Sequence, residues 1–318
     1  MRNIRLISAS VVFAGLVLAI WSAVRDHVHA FPDINFSRAF ASFVLLLAPL
    51  WFFGFAPAEP LQHLRAGWKI PAAAALAVPY FVFAAGTADF SWRAALIVVG
   101  LPVLLATFLE LSRLGSKMNW RDLVALGIVV AAYFLHWLRI AWPLPTLGLF
   151  PKLFLADVAL YCFLVIRRPE GSSYSLVPAK SALRIGLREW LLYFPIALAL
   201  GEITHFIHFH PVVPQLGTVL ASAILTLLIV ALPEELFFRA ILQNLLETRL
   251  GRTGALLAAS VLFGLSHFNH GAAFNWRYVL LASIAGIFYG RAWRAERQIF
   301  ASIVTHTAVD VVWSLWFR

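Results

Sequence analysis

The chain has 318 residues, 62% of them hydrophobic and 13% charged, with a mean hydropathy of +0.84, whereas an average soluble domain is roughly 25% charged. That composition excludes an ordinary soluble domain and describes an integral protein that crosses the bilayer several times. The formal charge of +10 sits singly or in small groups between apolar runs, with no basic tail, which suits a lipid bilayer with anionic headgroups and no nucleic-acid partner.

Met1-Arg2-Asn3-Ile4-Arg5 precedes an apolar run to about Ala23. The run is long and no small-x-small cleavage site follows it, so it reads as a retained first span. Further runs lie near 39–56, 70–86, 94–111, 123–142, 149–166, 190–207, 216–240, 253–270, 277–294 and 298–317. The expectation is an all-α polytopic transmembrane helix bundle of about eleven spans. Pro71 and Pro79 interrupt the third run, and the sixth opens on Pro143, Pro145 and Pro151 and carries Asp157.

The Pro/Gly/Ser-containing stretch 167–189 marks a boundary. It divides an N-terminal block of about six spans, 1–166, from a C-terminal block, 190–318. Cys162 lies inside an apolar run and reads as a small core residue. Tryptophans near span ends (Trp21, Trp68, Trp92, Trp276) read as interface anchors, and lysines and arginines concentrate in alternate loops. That bias puts the N-terminus in the cytoplasm and the C-terminus outside.

The chemistry concentrates in Pro233-Glu234-Glu235-Leu236-Phe237-Phe238-Arg239. A charge at bilayer depth costs at least ~2.5–3.5 kcal/mol, so three together ask for a function. Glu235 and Arg239, four apart, share a helix face and can pair, while Glu234 points about a quarter-turn away, outside that pair. Phe263 and His267 share a face of the next run, as do His306 and Asp310 in the last. Counted at ~1.5 Å per residue from turns near Gly251 and Gln298, Glu234 lies about 25 Å in, His267 about 21 Å, His306 about 12 Å and Asp310 about 18 Å.

Singly, either histidine reads as an interhelix contact and Glu235 with Arg239 as a structural pair. Jointly, overlapping depths in separate helices favour an active site. Gly286 and Gly290 have the small-xxx-small spacing of close helix packing. Glu202 and His205, with His208 and His210 beyond, read as a wet rim at the pocket mouth, and His136 and Asp157 as interhelix contacts.

Glu-Glu-x-x-x-Arg, then Phe-x-x-x-His, then His-x-x-x-Asp, in hydrophobic helices near the C-terminus, resembles the CAAX prenyl protease type II and bacteriocin-processing (CPBP, Abi) family of intramembrane proteases over about residues 190–318. The resemblance implies that Glu234 is the general base on a water molecule which His267 helps to hold. It further implies that Glu235 and Arg239 support the site, and that His306 with residue 310 stabilises the oxyanion. The prenyl-processing branch usually has Asn where this chain has Asp310, and an aspartate donates only when protonated; orienting His306 is its alternative role.

With no serine or cysteine in the motifs, the expected enzyme is a glutamic-type intramembrane endopeptidase using direct water attack on a membrane-anchored peptide or protein. No cofactor is implied, although Glu, His and Asp side chains also suit zinc, the rival scheme. A bacterial cytoplasmic membrane, with substrates presented near the outer leaflet, is the expected setting. The alternative class is a transporter or a non-catalytic immunity or binding protein using the same polar cluster.

Overall fold

The computed structural model describes residues 2–25, 36–55, 59–62, 64–111, 115–171, 174–269, 271 and 274–317. The chain separates into two compact units, Met1–Arg168 and Pro169–Arg318. Among the described residues every regular element is a helix; Phe209 and Phe317 add one isolated antiparallel bridge.

The N-terminal unit contains α1 (Arg2–Arg25), α2 (Phe36–Phe52), α3 (66–84), α4 (Trp92–Glu110), α5 (Trp120–Phe134) and α6 (150–167). Pro71 and Pro79 leave α3 continuous but tighten Ala73–Ala77 into a 3₁₀ stretch. Pro79 opens the α segment that follows, where a missing N–H costs little. A capping box formed by Asn119 and Asp122 starts α5. That helix stops at Phe134 and His136 turns left-handed at φ 55°, so the run expected over 123–142 is not one helix.

Trp142 is buried in this unit, edge-on to Tyr80 at 6.1 Å and to Phe150 at 6.0 Å. Arg167, expected in a polar linker, is buried at the end of α6. Its Nε donates to Asp122 at 2.7 Å, and its other nitrogens reach the Gly115 and Lys117 carbonyls. A buried guanidinium is tolerated only when its donors are matched in this way.

The C-terminal unit contains α7 (Lys180–Ile203), α8 (216–250), α9 (252–265), α10 (Trp276–Glu296) and α11 (Ile299–Trp316). The first of these starts ten residues before the expected 190 and takes in Lys180, Arg184 and Arg188, expected in the polar linker. The apolar stretch Leu216–Leu265 counts 50 residues, about 75 Å of helix, far more than a ~30 Å hydrocarbon core needs. It breaks at Gly251, whose φ of 68° and ψ of 175° leave the helix, a conformation that glycine adopts without a Cβ clash.

Within α8 the helix widens to π geometry at Thr226–Ala231 and again at Leu236–Gln243, around a short α segment Leu232–Glu235. Pro233 has no N–H to give the preceding turn, and its ring crowds that turn; just before it, Leu232 N–H reaches back to the Leu227 carbonyl. Single wide turns of this kind recur at functional sites. Glycines let the other helices close in: a Cβ on Gly264 would sit 2.5 Å from the Val279 carbonyl oxygen, one on Gly286 3.0 Å from Ser260 Cα, and one on Gly186 2.7 Å from the Ala301 carbonyl oxygen.

Among the described residues six helices are long and apolar enough to cross a membrane, with Leu216–Leu265 counted as one, and Phe36–Phe52 is a shorter apolar one. The expected count of about eleven is therefore not matched by length and composition. Neither α7 nor α10 is among the six; each carries several charged residues, Arg184 and Arg188 in the first and Arg291, Arg294 and Glu296 in the second.

Candidate active site

The segment Leu232–Glu235 delivers both adjacent carboxylates. Glu235 is fully buried, and its Oε2 accepts from Arg239 Nε at 3.0 Å, one turn along α8, and from the Ser302 hydroxyl on α11. Its Oε1 lies 2.8 Å from His306 Nδ1. A carboxylate accepts, so the proton of this contact belongs to Nδ1 and the Nε2 of His306 turns toward the site. The pair expected from the i,i+4 spacing is present, but it also holds a catalytic candidate in place. Arg239 is matched beyond Glu235 by the Phe263 ring at 5.3 Å and by Gln243 Oε1 at 3.5 Å.

His306 Nε2 faces Asp310 Oδ2 at 3.4 Å and Glu234 Oε2 at 3.8 Å. The imidazole has little rotational freedom, being stacked on Tyr289 at 4.5 Å and perpendicular to Phe263 at 5.7 Å. Side-chain exposure rises from 3% at His306 through 17% at Glu234 to 36% at Asp310, so the cluster opens on the Asp310 side.

His267 follows the last turn of α9. Its Nδ1 is 2.9 Å from the Phe263 carbonyl, which can only accept; Nδ1 therefore carries the proton and Nε2 the lone pair. The charges of Glu234, His306 and Asp310 all act on this ring. Glu234 and Asp310 thus meet at His306 Nε2, and His267 joins them across the ring of Phe263, which lies 4.8 Å from His267 and 5.7 Å from His306.

Glu202 and His205 are exposed at the end of α7, His205 with φ 51°. Among the described residues no hydrogen bond links either to the cluster. The next residue, Phe206, packs on Tyr278 at 5.7 Å and on Trp313 at 5.1 Å, which sets this turn beside the aromatic surround of the site. His208 and His210 are also exposed. Among the described residues no group of three or more His, Cys, Asp or Glu side chains is arranged to hold a metal ion.

Sequence reasoning missed Ser302, Gln243 and the tyrosines Tyr193, Tyr278 and Tyr289. The spacing of Ser302 from His306, four residues on one helix, was the available signal for the first of these.

Residues 216–312 match the family model Rce1-like, type II CAAX prenyl endopeptidase Rce1-like. That part of the C-terminal unit is similar to this family. The matched stretch runs from α8 into α11 and takes in all four clustered residues together with Glu235, Arg239 and Phe263. No curated protein and no solved structure matched the chain. An Rce1-like segment points to peptidase activity of the CAAX-protease type in a membrane protein.

Proposed function

We propose that the C-terminal unit is a glutamic-type intramembrane endopeptidase, which hydrolyses a peptide bond in a membrane-anchored peptide or protein. The observation that carries this reading is the placement of His306 between Glu235 on one nitrogen and Glu234 with Asp310 on the other. A purely structural histidine has no need of two further carboxylates at its outer nitrogen.

In the scheme, a water between Glu234 and His267 gives its proton to the Glu234 carboxylate while His267 Nε2 accepts a hydrogen bond from it. The water oxygen bonds to the scissile carbonyl carbon, and the carbonyl π pair moves to oxygen. His306, doubly protonated among the carboxylates of Glu235, Glu234 and Asp310, gives its Nδ1–H to Glu235 and turns its Nε2–H to that oxyanion. Glu234 then hands its proton to the departing amine as the C–N bond breaks. General acid–base transfer of this kind contributes about 10²–10⁴-fold.

The test is reconstitution in liposomes with a panel of quenched-fluorescent single-span peptides, comparing wild type with Glu234→Gln. Cleavage by wild type with a loss of at least about 100-fold in the variant is expected. Solute movement without any cut peptide would favour the transporter class instead. Persistence of cleavage in strong chelator, with metal content measured on the same preparation, separates direct water attack from the zinc scheme.

A further inference from the structure

At the arginine-rich end of the C-terminal unit, one buried carboxylate is shared by two arginines. Glu189, on α7, is fully buried. Its Oε1 accepts from Arg188 Nε at 3.2 Å and from Arg188 Nη2 at 2.7 Å, and Arg291 Nε, on α10, lies 3.0 Å from Oε2. A carboxylate out of water needs one cation to offset its charge; this one has two. Each guanidinium has five N–H donors, and the two side chains are 57% and 45% exposed. Both therefore keep donors to offer, and one positive charge is left over. Arg184, exposed one turn earlier on the same face of α7, adds a second; among the described residues no carboxylate pairs with it.

The face that carries these arginines continues as hydrocarbon. Residues 184, 188, 192 and 196 lie four apart on α7 and form one stripe. It reads Arg, Arg, Leu, Ile, with all four side chains exposed. Leu192 and Ile196 lie ~6 and ~12 Å beyond Arg188 along the helix axis, away from the arginine-rich end, and the exposed Leu191 widens the apolar part. Surplus positive charge followed directly by aliphatic surface matches the order of groups in a membrane amphiphile. We infer that Arg188 and Arg291, with Arg184 beside them, bind one anionic phospholipid, its phosphodiester against the guanidiniums and an acyl chain along Leu192 and Ile196. This site goes beyond the peptidase reading and does not depend on it.

Arginine suits a phosphodiester because its planar fork donates two parallel hydrogen bonds to such oxygens. Here the forks are placed in advance. Glu189 ties guanidiniums from two helices to one buried point, and the Phe288 ring lies 5.3 Å from the Arg291 guanidinium carbon. The ordering that a free arginine undergoes on binding is thereby reduced. An acidic peptide would satisfy the arginines as well, but would gain nothing from Leu192 and Ile196, so the stripe favours the lipid. A zwitterionic lipid carries the same phosphate together with a cation that the surplus charge repels, so the site selects a headgroup with net negative charge.

The test titrates the full chain in detergent with phosphatidylglycerol or phosphatidylcholine of identical acyl chains and measures the first bound lipid by native mass spectrometry. Wild type should bind phosphatidylglycerol at least about tenfold more tightly. Arg184→Gln, at an exposed position outside the buried pair, should weaken that binding about fivefold and leave phosphatidylcholine unchanged. The combined Arg188→Gln, Glu189→Gln, Arg291→Gln variant removes the buried carboxylate along with its partners and should abolish the preference. Arg252→Gln, an exposed arginine at the same end but on α9, should stay within about twofold of wild type. Equal affinity of wild type for the two lipids overturns the site. Equal losses in Arg184→Gln and Arg252→Gln also overturn it, since they would show only a diffuse surface charge. Displacement of the lipid by glycerophosphoglycerol, the same headgroup without chains, would show a site for soluble phosphates and overturn the lipid as occupant. If the combined variant does not fold, the comparison of Arg184→Gln with Arg252→Gln decides.

Discussion

Glu235 and Arg239 are both fully buried, and each is tolerable only because of the other and of the hydroxyl, imidazole and ring around them. Removing one partner of such a pair costs about 3–5 kcal/mol, because an uncompensated charge stays in the low-dielectric interior. Arg239→Ala should therefore lower the thermal midpoint in detergent markedly, and Glu235→Gln combined with Arg239→Leu should recover part of the loss. Activity should remain lost in both, since one disturbs and the other removes the carboxylate that orients His306. A single variant melting with wild type would show that Glu235 is not held by Arg239 in the way the geometry implies. The pair was legible in the sequence because i,i+4 spacing on a helix is a local rule. Ser302 and Tyr278 were not: the four-residue spacing of Ser302 from His306 does not by itself single out one hydroxyl, and the partner of Ser302 lies 67 positions away.

At the level of elements, close approach between α9 and α10 depends on glycines. A Cβ on Gly264 meets the Val279 carbonyl and Ser283, whereas Gly217, in the exposed first turn of α8, has nothing within 4 Å. Gly264→Ala should thus destabilise by about 1–3 kcal/mol through overpacking, while Gly217→Ala should be neutral or slightly stabilising, since alanine is the better helix former. Paired thermal melts in the same detergent check this, and equal shifts would refute it. The turn at Gly251 was readable because the apolar run is too long for one crossing. The start of α7 was not, because lysine and arginine in the first turns of a helix look the same in sequence as a polar linker. Nor was the end of α5, where an apolar run continues past Phe134 although the chain turns at His136.

Across the C-terminal unit as a whole, charge is divided between two ends. The turns at Gly251 and Arg297 lie together, joined by Arg297 to Glu247 at 2.5 Å and by Arg294 to the Arg252 carbonyl. That end also carries Arg249 and Arg291. At the opposite end His210 N–H meets the Trp316 carbonyl and Phe206 meets Trp313, and the basic residue described there is Arg277. The positive-inside rule predicts that the arginine-rich end faces the cytoplasm. His267, beyond the last turn of α9, and Asp310, late in α11, lie toward the other end, so the same orientation predicts substrates presented at the outer leaflet. Replacing Cys162, the single cysteine, by alanine allows a direct check with new cysteines at exposed positions. Val213→Cys, at a residue 98% exposed, should react with a membrane-impermeant maleimide on intact cells. Thr253→Cys, beside the Gly251 turn, should react only after permeabilisation. The reverse pattern would put the cluster nearer the cytoplasmic face and move the expected substrates to that side.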